Sequence, residues 1–272
     1  RGLGDVYKRQ DNNMGLTEDE KKARVAKLRP IDDVFFEALA QNPKVCQEIL
    51  RVILEDDKLV VNDVITQNSE RNIYGRSVRL DALCTLGTGE KCNIEVQRSD
   101  NDDHLRRARF NASVITAINS DPGTKFENVK DVCIVYISQF DVFKQGKTIY
   151  HVDKMIRETG TYVDDGLREI FVNTAVNDGS DISKLMSCFL AETVNNPKFP
   201  ELSKEVKRLK ETKGGLDIMC DIMEQYNQEA VDKNERKRIK IMAKKGSDVE
   251  FIAEVFDKTV DEVEAILNSS ED

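Results

Sequence analysis

The sequence predicts an α/β fold with a helical C-terminal extension, and three observations carry that prediction. Residues 79–98, RLDALCTLGTGEKCNIEVQR, alternate as two strands around a glycine-rich turn. Residues 131–143, DVCIVYISQFDVF, form a continuous apolar run of β-branched and aromatic residues, the pattern of a strand buried on both faces. From Asp181 onward the apolar period becomes helical.

In chain order, residues 1–10, RGLGDVYKRQ, show no periodicity and read as non-native sequence, so residues 1–13 are set aside as a tail and Met14 is the expected native start. Residues 17–29 are highly charged, and Pro30 interrupts them. Asp32 or Asp33 can N-cap a helix over VFFEALAQ, with plain capping the expected role of Asp33, and Asn42-Pro43 marks a break. KVCQEILRVILED then carries a helical stripe of Val45, Ile49, Val52 and Ile53, and LVVNDVITQNS begins a strand.

The hairpin is the informative stretch. Side chains alternate faces along a strand. Arg79, Asp81 and Leu83 therefore share one face of the first strand, and Val78, Leu80, Ala82 and Cys84 the other. On the return strand Asn93, Glu95 and Gln97 lie opposite Cys92, Ile94 and Val96. A three-residue turn at Gly87-Thr88-Gly89 pairs Leu86 with Glu90, Cys84 with Cys92, and Asp81 with Glu95. A two-residue turn would scramble both faces, so the apolar pattern selects the first register. Opposed Cβ atoms lie about 4.5–5.5 Å apart, which sets two carboxylates against each other. A divalent cation is the simple compensation. A solvated face with the carboxylates near Arg79 and Arg98 is the alternative.

After Arg98, SDNDDHLRRARFNASVITAINS reads as a capped helix with Leu105, Ala108, Ala112, Ile115 and Ile118 on its apolar face. Asp121-Pro122-Gly123 turns the chain into the central strand. Further strands are expected near TIYHVDKMI and REIFVNTAV. Three helical segments follow, KLMSCFLAETV, ELSKEVKRLKE and a long one over 216–245, punctuated at Pro197, Pro200 and Gly214-Gly215. The domain reading is therefore a core over 28–180, a helical extension over 181–245 and a small acidic helical tail over 246–272.

Composition narrows the function. Charged residues make up 33% of the 272 residues, hydrophobic ones 39%, and the net charge is −9, so a nucleic-acid binder would have to gather its basic residues locally. Residues 233–245 carry seven Lys or Arg and one Glu, whereas 246–272 carry nine acids and one Lys. FIAEVFDKTVDEVEAIL has a helix-turn-helix look, but its acidity argues for an interaction or capping unit, through which a homo-oligomer or protein partner could form. Six scattered cysteines lack ligand spacing, and buried reduced thiols are the expectation for Cys84 and Cys92. No long apolar run points to a membrane, and a reducing cytoplasm is the expected location. His104 and His151 are not spaced for a metal.

The order αβββαβ, with Asp81 on one strand and Glu95-Val96-Gln97 on the next, resembles the PD-(D/E)XK nuclease core, a restriction-endonuclease-like fold with a mixed sheet. Gln97 in place of the usual Lys resembles the recombination-promoting nuclease (Rpn-type) or putative transposase branch. Asp33-Val-Phe-Phe is similar to its first-helix signature, and RRARFNASV (106–114) and VCIVYISQFDVF (132–143) to the helix and strand after its hairpin. The chain departs from the pattern at Glu37, where Lys is usual, at Leu80, where Pro precedes the catalytic Asp, and at Phe110, where Tyr is common. The resemblance implies a DNA endonuclease using Mg²⁺, with Mn²⁺ substituting. Asp81, Glu95 and the Val96 carbonyl would be its ligands, Gln97 would orient the attacking water, and Asp33 would be a further acid. Arg106 and Arg109, one turn apart, would hold DNA beside the site, unless they are simply solvated or paired with Asp102 and Asp103. A nuclease fold kept as a DNA- or protein-binding module is the rival reading.

Overall fold

The computed structural model describes residues 17–70 and 78–269. The expected tail over 1–13 lies outside them, as do residues 71–77. A short helix α1 (Glu18–Val25) begins at a capping box in which Thr17 and Glu20 satisfy each other's backbone N–H groups. Helices α2 (Asp33–Ala40) and α3 (Pro43–Ile53) follow. Asn42-Pro43 starts α3 rather than merely separating two segments, because the Asn42 side chain accepts the Lys44 N–H at 3.1 Å and Pro43 stands in the first turn, where its missing N–H costs nothing.

Strands β1 (Val61–Glu70), β2 (Val78–Leu86) and β3 (Lys91–Gln97) form an antiparallel meander. Helix α4 (His104–Ile118) then crosses to β4 (Val132–Ser138), which pairs parallel to β3. Strands β5 (Ile149–Val152), β6 (Lys154–Ile156), β7 (Thr161–Val163) and β8 (Leu167–Asn173) come next. The main sheet has the order β1-β2-β3-β4-β8-β5, with β4 parallel to β8 and β5 antiparallel to it, while β6 and β7 form a separate ribbon. Every residue of β4 is buried, as its unbroken apolar run requires of a strand covered on both faces.

One face of the sheet carries the larger core, built from Ala82, Cys84, Ile94, Val96 and Val135 against α2, α3, α5 (Asp181–Phe189), α6 (Pro200–Glu211) and the start of α7 (Lys213–Lys244). The other face packs Leu83, Ile134, Tyr136 and Phe171 under α4. A third, small core joins Ile239 of α7 to Ile252 of α8 (Val249–Phe256) and Val263 of α9 (Val260–Asn268), so the acidic tail is a folded unit on the end of α7.

Two local expectations change. Gly214 and Gly215 lie inside α7 rather than ending a helix. A Cβ on Gly215 would stand 2.1 Å from the Arg208 carbonyl oxygen, so that glycine lets α6 and α7 approach closely at their junction. In α4, Leu105 and Ile118 are 46% and 43% exposed. The buried face instead holds His104, Ala108, Asn111 and Ile115. The helix is rotated so that polar side chains face the sheet, for a reason that the site supplies.

Candidate active site

The β2–β3 hairpin follows the register its apolar pattern favours. Cys84 pairs with Cys92, Leu83 with Asn93 and Ala82 with Ile94, and the Leu86 N–H donates to the Glu90 carbonyl at 2.9 Å. Gly89, at φ +87°, takes the left-handed turn position. Cys84 and Cys92 are free and buried, and the adjoining thiols of Cys46 and Cys133, together with burial, push theirs up out of the reactive range.

Ladder pairing stops at Ala82–Ile94, one step short of Asp81 and Glu95. There the alternation of β2 breaks: Leu80 packs with Leu83 under α4, while Ala82 and Cys84 face the other core. Instead of a backbone bridge, Asp81 Oδ2 accepts the Val96 N–H at 2.9 Å. The N–H and C=O of one strand residue leave on the same edge, so the Val96 carbonyl faces the β2 side as well.

Glu95 is fully buried at the middle of this arrangement. Its Oε1 accepts Nε and Nη2 of Arg107 at 3.0 and 2.6 Å, and its Oε2 accepts Nδ2 of Asn93 and of Asn111, each at 3.3 Å. Arg107 and Asn111 lie one turn apart on α4, which explains the rotation of that helix. His104, a turn before Arg107, bonds the Tyr136 hydroxyl at 2.9 Å through Nδ1 and Asp100 at 3.1 Å through Nε2, and its ring lies against Phe140. It anchors α4 to β4.

The electrostatics follow from burial. Desolvation, with the Glu95 charge beside it, pushes the Asp81 carboxyl well above the usual carboxylate range, against the Val96 N–H bond that lowers it. Glu95 is also pushed up, since burial outweighs the Arg107 guanidinium. Asp33 behaves alike: burial raises it against the pull of Arg107 and Arg98.

Asp33 is not the N-cap of α2. Asp32 takes that position, and its carboxylate is turned away to the Arg29 N–H at 2.7 Å and to Arg98 at 2.8 Å. Asp33 is within electrostatic reach of Asp81 and Arg107. Gln97 donates its Nε2 to the Ser99 carbonyl and hydroxyl at 2.9 and 3.2 Å. Gln97, Asp33, Arg98 and Tyr226 line one cleft of about 840 Å³. Arg106 and Arg109 line a different one of about 900 Å³, beyond α4 beside Leu167 and Phe171, and Arg106 pairs with Asp103 at 3.3 Å. Arg107, between them in sequence, is the arginine that meets the carboxylates. Arg79 is drawn to Glu229 and stacks on Tyr226 at 4.9 Å, and Arg98 goes to Asp32, so neither pairs with Asp81 or Glu95.

Sequence reading missed Arg107, Asn111 and Tyr226. A signal for the first two was present in their spacing with His104, since 104, 107 and 111 fall on one helix face together with Ala108 and Ile115. Tyr226 comes from α7, a long way on in the chain, and no local pattern marks it.

The donor set of Asp81, Glu95 and the Val96 carbonyl is all oxygen, and its two carboxylates repel each other, which fits a hard divalent cation that keeps several of its own waters. Among the described residues, no group of three or more His, Cys, Asp or Glu side chains is arranged to hold a metal by itself. Among them, too, no helix is long and apolar enough to cross a membrane.

No curated protein and no solved structure matches the chain. The model of the PD-(D/E)XK nuclease family transposases matches residues 32–184, from the N-cap of α2 into α5, and thus takes in α2, β2, β3 and α4 with all three carboxylates. That match spans more than half of the chain, and the mixed sheet with α4 crossing between β3 and β4 is the arrangement expected of such a core. The chain belongs to the PD-(D/E)XK nuclease family transposases.

Proposed function

We propose that this protein is a divalent-cation-dependent DNA endonuclease that hydrolyses phosphodiester bonds at Asp81 and Glu95. The observation that carries this reading is the end of the β2–β3 ladder, where two carboxylates meet with no backbone bridge between them and the charge of Asp33 on α2 reaches Asp81. Asp81, Glu95 and the Val96 carbonyl would hold the ion, Mg²⁺ or Mn²⁺. When bound, it supplies Lewis-acid activation of the phosphate and of a water. The chain's own groups do the rest. Gln97 is an amide and takes up no proton at neutral pH, so it orients rather than abstracts. With Nε2 given to Ser99, its Oε1 is the atom available to accept a hydrogen from the attacking water. Asn93 and Asn111 keep the Glu95 carboxylate in one orientation. The buried free cysteines are consistent with the reducing cytoplasm as its place of action.

A second reading rests on a specific observation. Glu95 is already fully hydrogen-bonded and Gln97 is turned to Ser99, as in a nuclease fold kept for binding alone. Nicking of supercoiled plasmid with Mg²⁺ or Mn²⁺ separates the two. Asp81→Ala and Glu95→Gln are expected to lower the rate by about 10³-fold and Gln97→Ala by about 10-fold, since losing an orienting contact costs less than losing an ion ligand. Thermal melts accompany the assay: without metal Asp81→Ala should melt no lower than the parent, whereas Glu95→Gln, which leaves Arg107 without its carboxylate, should melt lower. A parent that neither cuts DNA nor is stabilised by Mn²⁺ would establish the binding reading.

A further inference from the structure

A carboxylate offers about four acceptor positions. Those of Glu95 meet four donors: Nε and Nη2 of Arg107, and Nδ2 of Asn93 and Asn111. An ion cannot reach this carboxylate without displacing at least one of them. The two asparagines are neutral and can share Oε2 with a cation nearby. Arg107 cannot, because two positive charges would meet at Oε1. Its side chain is 36% exposed whereas Glu95 is wholly buried, so the arginine has somewhere to go and the carboxylate does not. Its charge also acts on Asp81 and Asp33, so its guanidinium is a positive group common to all three acids.

We propose that Arg107 is the resident cation of this site and is exchanged for the divalent ion. It holds Glu95 while no ion is bound, competes with the ion for that carboxylate, and once displaced turns its guanidinium to the scissile phosphodiester. This deepens the endonuclease reading and rests on it. A guanidinium fork suits the exchange, since its paired donors fit a phosphate as well as a carboxylate. Its position suits it too, because α4 brings the arginine to the solvent-facing side of the buried acid. The same bond keeps a buried carboxylate beside a half-buried one tolerable in the metal-free protein.

The two halves of the proposal push one variant in opposite directions. Arg107→Gln removes the competitor and the phosphate ligand together. At pH 8 it should bind Mn²⁺ about tenfold tighter than the parent, read from the EPR signal of free Mn²⁺. At saturating Mn²⁺ it should nick supercoiled plasmid about 10²-fold more slowly. A purely structural arginine would give weaker or unchanged ion binding, and that result overturns the exchange. Tighter binding with undiminished cutting overturns it equally, because Arg107 would then only block the ion. Should the Gln variant fail to fold, Arg107→Lys keeps the charge and gives up the fork, and it should bind Mn²⁺ about threefold tighter and cut more slowly. Asp81→Ala is the control for where the ion sits. If the parent binds Mn²⁺ through Asp81 and cuts, while neither arginine variant binds more tightly, the exchange is wrong and the nuclease reading stands. If the parent neither binds nor cuts, both are wrong.

Discussion

At the scale of single residues, the site is a place where burial and charge oppose each other. Asp81 and Glu95 both take up protons more readily in the folded chain than an ordinary carboxyl does, Asp81 markedly so, because burial penalises both charged forms and the Glu95 charge adds to the penalty on Asp81. A group whose folded pKa lies above its unfolded one binds more protons when folded, so stability falls as pH rises past the ordinary carboxylate range of about 4. The metal-free protein should therefore melt lower at pH 8 than at pH 5.5. Asp81→Asn keeps an oxygen for the Val96 N–H and removes the charge, so it should flatten that slope and melt about 2–4 °C above the parent at pH 8. Paired melts of the two proteins across this range check it, and an unchanged slope would show that Asp81 is not burdened by its neighbours. Groups held low, such as Asp141 with its several N–H donors, titrate below this window and do not interfere.

At the scale of elements, α4 shows which interaction decides a helix's rotation. Its apolar residues alone favour burying Leu105 and Ile118, and half-exposing the two forfeits about 1–1.5 kcal/mol each. Leaving Glu95 buried without its charged partner would cost about 3–5 kcal/mol. The unpaired charge would be the greater penalty, and α4 turns Arg107 and Asn111 inward. The hairpin is the opposite case, since its register depends on neighbours in the chain and could be read from alternation and turn length. The α6–α7 junction provides an elemental prediction. Gly215→Ala would press a Cβ onto the Arg208 carbonyl and should destabilise by about 2–3 kcal/mol, whereas Gly214→Ala meets nothing within 4 Å and should be neutral or slightly stabilising. Denaturant melts of the pair check the contrast. Equal effects would mean that α6 and α7 do not pack as described.

At the scale of the whole molecule, α7 is the strut. Its 32 residues extend about 48 Å. Near its start Leu216 and Met219 enter the main core, further on Tyr226 borders the cleft and Glu229 pairs with Arg79, and near its end Ile239 anchors the small third core. The acidic unit and the basic stretch of α7 thus fold together. The one acid of residues 233–245, Glu235, pairs with the one base of 246–272, Lys258, at 2.7 Å. Because the small core is separate from the sheet, removing residues 246–272 should leave the main melting transition in place and plasmid nicking within about twofold of the parent, and the loss of net negative charge should not weaken DNA binding. A large loss of DNA affinity in a folded truncation would show that the acidic unit contributes to substrate binding.

The sequence by itself determined the order of elements from α2 to β4, the fully buried β4, the three-residue turn and the pairing of Cys84 with Cys92. Each of these rests on local periodicity or turn chemistry, which act between near neighbours. It also singled out Asp81, Glu95 and Gln97, since two carboxylates brought together by a register are visible in the chain. The tertiary structure decided the partners: Arg107 rather than Arg79 or Arg98 at Glu95, Asp32 rather than Asp33 at the start of α2, and Tyr226 at the cleft. Those choices depend on which side chains arrive at a buried charge from distant segments. The cost of leaving such a charge unpaired exceeds the local preferences that a sequence displays.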